Sequence, residues 1–146
     1  MRSFLLRGKS PYCKWGLIPE GVMYKGLVPS GFNLAISPSP GVVIIDIDNH
    51  GKKNGFNIIP LEIMTELLNT LHYNTKNNGM HVWVKYSGDK KLGNKTSNKG
   101  IDLRTNKGYV VWWNDRNIED CLNEIKESSP ELNEFLENLF CYINKK

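Results

Sequence analysis

The sequence predicts an α+β fold, with a mixed, mainly antiparallel sheet and flanking helices, and three observations carry that expectation. Short β-branched or aromatic runs separated by turn residues recur between Gly31 and Trp113. Pro60–Leu71 and the stretch 118–144 carry apolar residues at helical spacing. At 146 residues, with 40% hydrophobic and 23% charged residues, the chain is long enough to bury one core without staples. Residues 1–146 are therefore read as a single domain.

In order along the chain, the first thirty residues hold Gly8, Pro11, Gly16, Pro19, Gly21, Gly26 and Pro29 and read as irregular, with room for one short strand or helix. Gly31–Ser37 alternates as a strand does, Pro38-Ser39-Pro40-Gly41 is a turn, and Val42–Asp48 is a β-branched run, so the two strands are a candidate hairpin. After a loop to Gly55, Pro60 suits a first helical turn, and Leu61, Met64, Leu67, Leu68 and Leu71 form one stripe. A polar loop Lys76–Gly79 leads to a strand over Met80–Tyr86. Lys90–Gly100 reads as polar and flexible; Ile101–Arg104 and Tyr109–Trp113 read as strands joined by a turn at 105–108. Two amphipathic helices, over 118–127 and 131–144, close the chain, the second with Leu132, Phe135, Leu136, Leu139, Phe140 and Ile143 on its apolar face.

No apolar run reaches the roughly 18 residues a membrane span needs, and the Met1–Gly8 start is too short and too charged for a signal peptide. The expected location is cytoplasmic. Cys13, Cys121 and Cys141 are odd in number and far apart, which argues against a disulfide framework or zinc knuckle and for buried or half-buried thiols. The net charge of +4 is unevenly spread: from Lys76 to Lys107 eight bases face two acids, and from Asp115 to Lys146 eight acids face four bases. A basic middle suits an anionic partner.

Asp46 and Asp48 break the β-branched run two residues apart, so both carboxylates project from one strand face. Like charges held that close repel unless a cation or proton lies between them. Asp102 is a third carboxylate in a strand; alone it would be the partner of Arg104 on the same face. Three strand-borne carboxylates in a basic surround point to phosphoryl chemistry on two hard cations, which sit roughly 3.5–4 Å apart in such sites. A lone strand histidine such as His81 is by default structural, but Gly79 beside it permits close approach, and Lys76, Asn77 and Asn78 supply donors for a polyphosphate. Lys90, Lys91, Lys95 and Lys99 are the candidates to track a nucleic-acid backbone.

Asp46-Ile47-Asp48, Gly79-Met80-His81 and Ile101-Asp102 resemble, in order, the D-x-D, small-x-H and hydrophobic-D motifs of the archaeo-eukaryotic primase superfamily, and most of all its primase-polymerase domains of phage and plasmid replication proteins. Lys9-Ser10-Pro11 with Trp15 resembles the family's K-x-P…W segment, Gly31–Ala35 its first strand, Thr75–Val84 its T-x-x-G-G-x-H stretch, and Gly100–Val111 its G-hydrophobic-D-hydrophobic-R…G-Y run, so the similarity covers residues 9–113. Two positions depart: Asn78 stands for the first of two glycines, and Trp113-Asn114 replaces a small or proline-rich exit.

The resemblance implies an RRM-like catalytic core and a DNA primase or DNA polymerase activity, a template-directed attack of a 3′-hydroxyl on a nucleoside triphosphate. By that likeness Asp46, Asp48 and Asp102 bind two Mg²⁺ or Mn²⁺ ions, and His81 contacts the incoming phosphates. Gly79, Asn78, Lys76 and Arg104 complete the nucleotide site. A single-stranded DNA template is the expected partner, with a replicative helicase supplied in trans. The alternative is a catalytically weak module that binds single-stranded nucleic acid by stacking bases on Trp83, Tyr109, Trp112 and Trp113. A rolling-circle endonuclease would need a second histidine at position 83, which is Trp.

Overall fold

The computed structural model describes residues 1–143, with side chains through Phe140. Its elements are β1 (Arg2–Arg7), β2 (Ser10–Pro11), β3 (Phe32–Ser37), β4 (Val42–Ile47), β5 (Asn49–His50), β6 (Lys53–Asn54), α1 (Leu61–Leu67), β7 (His72–Asn74), β8 (Met80–Lys85), β9 (Ile101–Arg104), β10 (Val110–Val111), β11 (Lys126–Glu127) and α2 (Pro130–Ile143). The strands make two main sheets and a small β5–β6 hairpin: β10-β3-β1-β2, and β11-β8-β4-β9 with β7 also on β8. The pairing is antiparallel throughout the named strands except for β11 on β8, so the α+β, mainly antiparallel expectation holds.

β4 is the central strand of the second sheet, and its alternation sorts the molecule. Val43, Ile45 and Ile47 point to one face, where Val82, Val84, Ile101 and Leu103 join them against Ile63 and Leu67 of α1 and Leu132, Leu136 and Phe140 of α2. Each such fully buried side chain contributes about 1.5–3 kcal/mol of transfer free energy. Ile44, on the other face, packs with Trp83, Leu71 and Tyr73 against Ile36 and Val110 of the first sheet. Asp46 and Asp48 continue that second face beyond Ile44, where the apolar filling stops.

α2 begins where Ser129 Oγ accepts the Leu132 amide at 3.1 Å, with Pro130 in the first turn. The Ser129 amide and hydroxyl both donate to Glu66 of α1, which ties the two helices together.

Several expectations fail, and each for a physical reason. β3 and β4 are not a hairpin: β3 pairs with β1 and β10, and residues 38–41 carry the chain from one sheet to the other. β9 and β10 likewise end in different sheets, so the 105–108 turn is a crossover. The Arg2–Arg7 run is a full inner strand, whose Phe4 and Leu6 are buried. α1 ends at Leu67, so Leu71 lies off the helix in the second core; Leu61 is 79% exposed, and Ile63 takes the inward position.

The predicted 118–127 helix is two 3-10 turns, Ile118–Asp120 and Leu122–Glu124, followed by β11. Ile118 and Cys121 are both buried, and Asn117 caps the first turn by accepting the Glu119 amide. The 94–100 stretch is laced to β9 rather than loose: Lys95 and Leu103 exchange both backbone hydrogen bonds, and Ser97 Oγ accepts from the Ile101 amide. Cys13 is exposed and Cys121 buried; the Cys141 and Ile143 side chains and Asn144 lie outside the described residues.

Candidate active site

Register builds the site. In the β8-β4-β9 sheet Asp46 is directly opposite His81 on one side and directly opposite Asp102 on the other. Three side chains from three strands therefore stand in one row on one face, at the roughly 4.5–5.5 Å spacing of cross-strand neighbours. His81 Nε2 is 3.4 Å from Asp46 Oδ1. Asp102 is held by its own surroundings: Oδ1 accepts the Ser97 amide at 3.2 Å, and Oδ2 lies 3.7 Å from Arg104 Nη2.

Asp48 is placed by backbone. It follows the last paired residue of β4; its amide donates to the Gly100 carbonyl at 2.7 Å, and its carbonyl accepts from the Gly55 amide at 2.9 Å. That approach leaves no room for side chains. A Cβ on Gly55 would meet the Gly100 oxygen at 2.3 Å, and Gly100 itself has φ +89°. Burial pushes the Asp48 carboxyl above its ordinary value; the Asp46 and then the Asp102 charges push it further, while His50 and His81 act the other way.

The turn before β8 is equally constrained. The Thr75 amide donates to the Gly79 carbonyl at 2.9 Å, and a Cβ at Gly79 would lie 2.4 Å from the Ile47 oxygen and 2.8 Å from Thr75 Oγ1. The close approach that Gly79 allows is thus to the end of β4. Asn78 sits at φ +65°, the left-handed region that glycine favours and that asparagine tolerates better than most residues.

These elements line an open cleft of about 790 Å³. Asp46, Asp48, Lys76, Gly79, His81 and Arg104 are among its lining residues; Asn78 and Asp102 are not, although each neighbours one that is. The rest of the lining was partly legible in the sequence: Lys9 and Trp15 belong to the K-x-P…W segment, Asn33 to the Gly31–Ala35 stretch and Tyr109 to the G-Y run, whereas Asn94 and Lys107 match no motif residue. Trp15 stacks on Phe4 at 5.3 Å, and Tyr109 meets both edge-on, so the cleft's Trp15 and Tyr109 belong to one cluster of packed rings. Lys90, Lys91, Lys95 and Lys99 do not line the cleft, although Asn94 of the same loop does.

Of the aromatics read as stacking platforms, Trp83 is 1% exposed and so closed to a base; Trp112 packs edge-on against it and Tyr73, is half-buried and lines a different pocket, while Tyr109 and Trp113 line the cleft. Trp83 acts instead behind the site. Its Nε1 donates to the Tyr73 hydroxyl oxygen at 3.1 Å, and that oxygen is 3.1 Å from His81 Nδ1. Tyr73 had no sequence signal beyond apolar packing, and Trp83 was read for its ring face as a stacking platform rather than for its indole N–H.

The donor set suits hard divalent cations. Asp46, Asp48 and Asp102 offer carboxylate oxygens, and the upward push that each of two neighbours exerts on Asp48 is the repulsion a cation would relieve. Among the described residues no three Asp, Glu, His or Cys side chains form a ready-made cage. Mg²⁺ does not require one, because it keeps waters and substrate phosphates as most of its ligands.

No helix among the described residues is long and apolar enough to cross a membrane. No curated protein matches the chain. The family model for bifunctional DNA primase/polymerase, N-terminal, matches residues 24–124, a span that holds Asp46, Asp48, His81 and Asp102, and the chain belongs to that family.

Proposed function

We propose that this chain is a template-directed nucleotidyltransferase, a DNA primase, DNA polymerase or both, acting as one catalytic domain over residues 1–146 in phage or plasmid replication. Membership of the family carries a primase/polymerase-type role in replication, with a DNA template and nucleotides as substrates. The observation that supports the finer reading is the row His81–Asp46–Asp102 with Asp48 beside it, of which His81, Asp46 and Asp48 line a cleft whose lining also carries Lys9, Lys76, Arg104 and Lys107.

In this reading the 3′-oxygen of a primer or first nucleotide bonds to the α-phosphorus of a triphosphate, the α–β bridging bond breaks, and pyrophosphate leaves. Asp46, Asp48 and Asp102 are the residues that would hold two Mg²⁺ or Mn²⁺ ions, and the chemistry such ions would supply there is Lewis-acid stabilisation of charge. His81 donates to a phosphate oxygen from a buried, pre-oriented position, and Lys76 and Arg104 neutralise charge at the rim. Gly79 and Asn78 shape the turn under the phosphates. The aromatic rings of Trp15 and Tyr109 bound the base, and Lys90, Lys91, Lys95 and Lys99 carry the single-stranded template outside the cleft. A helicase acts in trans.

The test is incorporation on a single-stranded template, with and without primer, with deoxy- or ribonucleotides, and with Mg²⁺ or Mn²⁺. Metal-dependent product that disappears in Asp46→Ala supports the reading. Full activity of an Asp46→Ala, Asp48→Ala protein overturns it.

A further inference from the structure

We propose that Tyr73, itself held by Trp83, is a positioning residue that locks the His81 imidazole in the tautomer with its proton on Nε2, so that this N–H is the donor presented to a phosphate oxygen in the cleft. The phosphate as acceptor rests on the function proposed above; the tautomer does not.

An indole N–H can only donate, so the Tyr73 oxygen accepts from Trp83 Nε1. The phenol then has one proton of its own to place. Tyr73 is 8% exposed, and among the described residues the only other polar group at its oxygen is His81 Nδ1. If Nδ1 carried a proton it would also point at the phenol oxygen, and the Tyr73 hydrogen would be left buried without an acceptor, an arrangement folded proteins avoid. The phenol therefore donates to a bare Nδ1, and the imidazole proton sits on Nε2.

The far side of the ring agrees. Nε2 lies 3.4 Å from Asp46 Oδ1, so a proton on that nitrogen is turned toward a carboxylate oxygen and a bare lone pair there would meet it unfavourably. Burial holds the Tyr73 hydroxyl far above its usual range, so it remains a donor at any working pH. The edge-on packing of the Tyr73 and His81 rings, 5.3 Å between centroids, keeps the imidazole from turning over.

His72 provides an internal contrast. Its Nδ1 lies 2.8 Å from the Thr70 carbonyl, an acceptor only, so that nitrogen must carry the proton. Two histidines on neighbouring strands are thus set in opposite tautomers by the groups that face their Nδ1 atoms.

The experiment is a long-range proton–nitrogen correlation spectrum of the ¹⁵N-labelled full chain without metal, with His81 identified by the signals that disappear in His81→Gln. The expected result is a single His81 form protonated on Nε2 and His72 protonated on Nδ1. In Trp83→Phe the Tyr73 oxygen regains a free lone pair, and in Tyr73→Phe the lock is absent, so both variants show an averaged mixture at His81. In incorporation assays Tyr73→Phe raises KM for the nucleoside triphosphate by roughly tenfold, with kcat changed much less. A wild-type His81 protonated on Nδ1, or already averaged, overturns the positioning role even in a fully active enzyme. A wild type that neither binds nor incorporates nucleotides overturns the phosphate role together with the proposed function, while its spectrum still decides the tautomer. If Tyr73→Phe does not fold, the wild-type and Trp83→Phe spectra carry the decision.

Discussion

Asp46 Oδ1 stands 3.4 Å from Nε2 of His81, its direct partner across β4 and β8. With Asp102 directly across the other side, Asp46 is the middle of the row, and no neighbour can substitute for it. Asp46→Ala is expected to lower nucleotide incorporation by at least on the order of 10²-fold while leaving the fold intact, because its side chain faces the cleft and not the helical core. Primer extension alongside circular dichroism checks both halves.

Asp48 predicts a pH effect of unusual sign. Its folded-state pKa is raised above the ordinary 3.8, first by burial and then by Asp46 and Asp102. The folded state therefore binds more protons than the unfolded one between those two values, and stability falls as pH rises through that window. Asp48→Asn removes the penalty. In EDTA it should melt higher than the wild type at neutral pH, the advantage vanishing below about pH 4 where both states are protonated, and it should be inactive at every pH.

Arg104 pairs with Asp102 at 3.7 Å yet also lines the cleft. Arg104→Ala should have two opposed effects: divalent ions bind more readily once Asp102 Oδ2 is released, and KM for the triphosphate rises by about tenfold, the worth of one charge-assisted hydrogen bond. Metal titration by calorimetry and steady-state kinetics separate them.

Gly79→Ala places a methyl against the Ile47 carbonyl and the Thr75 hydroxyl. Relieving separations of 2.4 and 2.8 Å requires the turn and the end of β4 to move apart. The expected cost is about 1–3 kcal/mol, or a Tm fall of roughly 3–10 °C, with a loss of activity larger than the fall in folded fraction.

Replacing Lys90, Lys91, Lys95 and Lys99 by Ala should weaken single-strand binding and flatten its dependence on log salt by about 0.7 for each phosphate no longer neutralised. KM for the nucleotide should not change, since none of the four lines the cleft. A changed KM with an unchanged salt slope would remove them from the template path.

The floor of the site was legible because strand chemistry is local: Asp46 and Asp48 interrupt a β-branched run, and period-two alternation alone puts them on one face. The pairing partners of those strands were not legible. Pro38–Gly41 reads as a hairpin turn, yet β3 finds β1 and β10, because Ile36 and Val110 bury against Ile44 and Trp83 from the other sheet. The 118–127 stretch had helical spacing at Ile118, Cys121 and Ile125, and 3-10 turns bury the same three residues while freeing Lys126–Glu127 to pair with β8. The roles of Tyr73 and Trp83 behind His81 were invisible for a different reason. Their roles depend on one hydroxyl oxygen shared between two rings, which no spacing along the chain records.

β4 has its odd-numbered residues among the helices and its even-numbered ones on the Ile44–Asp46 side. A slip of one residue in its pairing would drive Asp46 into hydrocarbon and turn Ile45 and Ile47 toward the cleft. Mis-registered chains are thus rejected by the apolar core long before substrate could sample them, so a one-residue insertion in this strand would surface as insoluble protein rather than as a slow or inaccurate enzyme. Quality control of the catalytic geometry is delegated to folding.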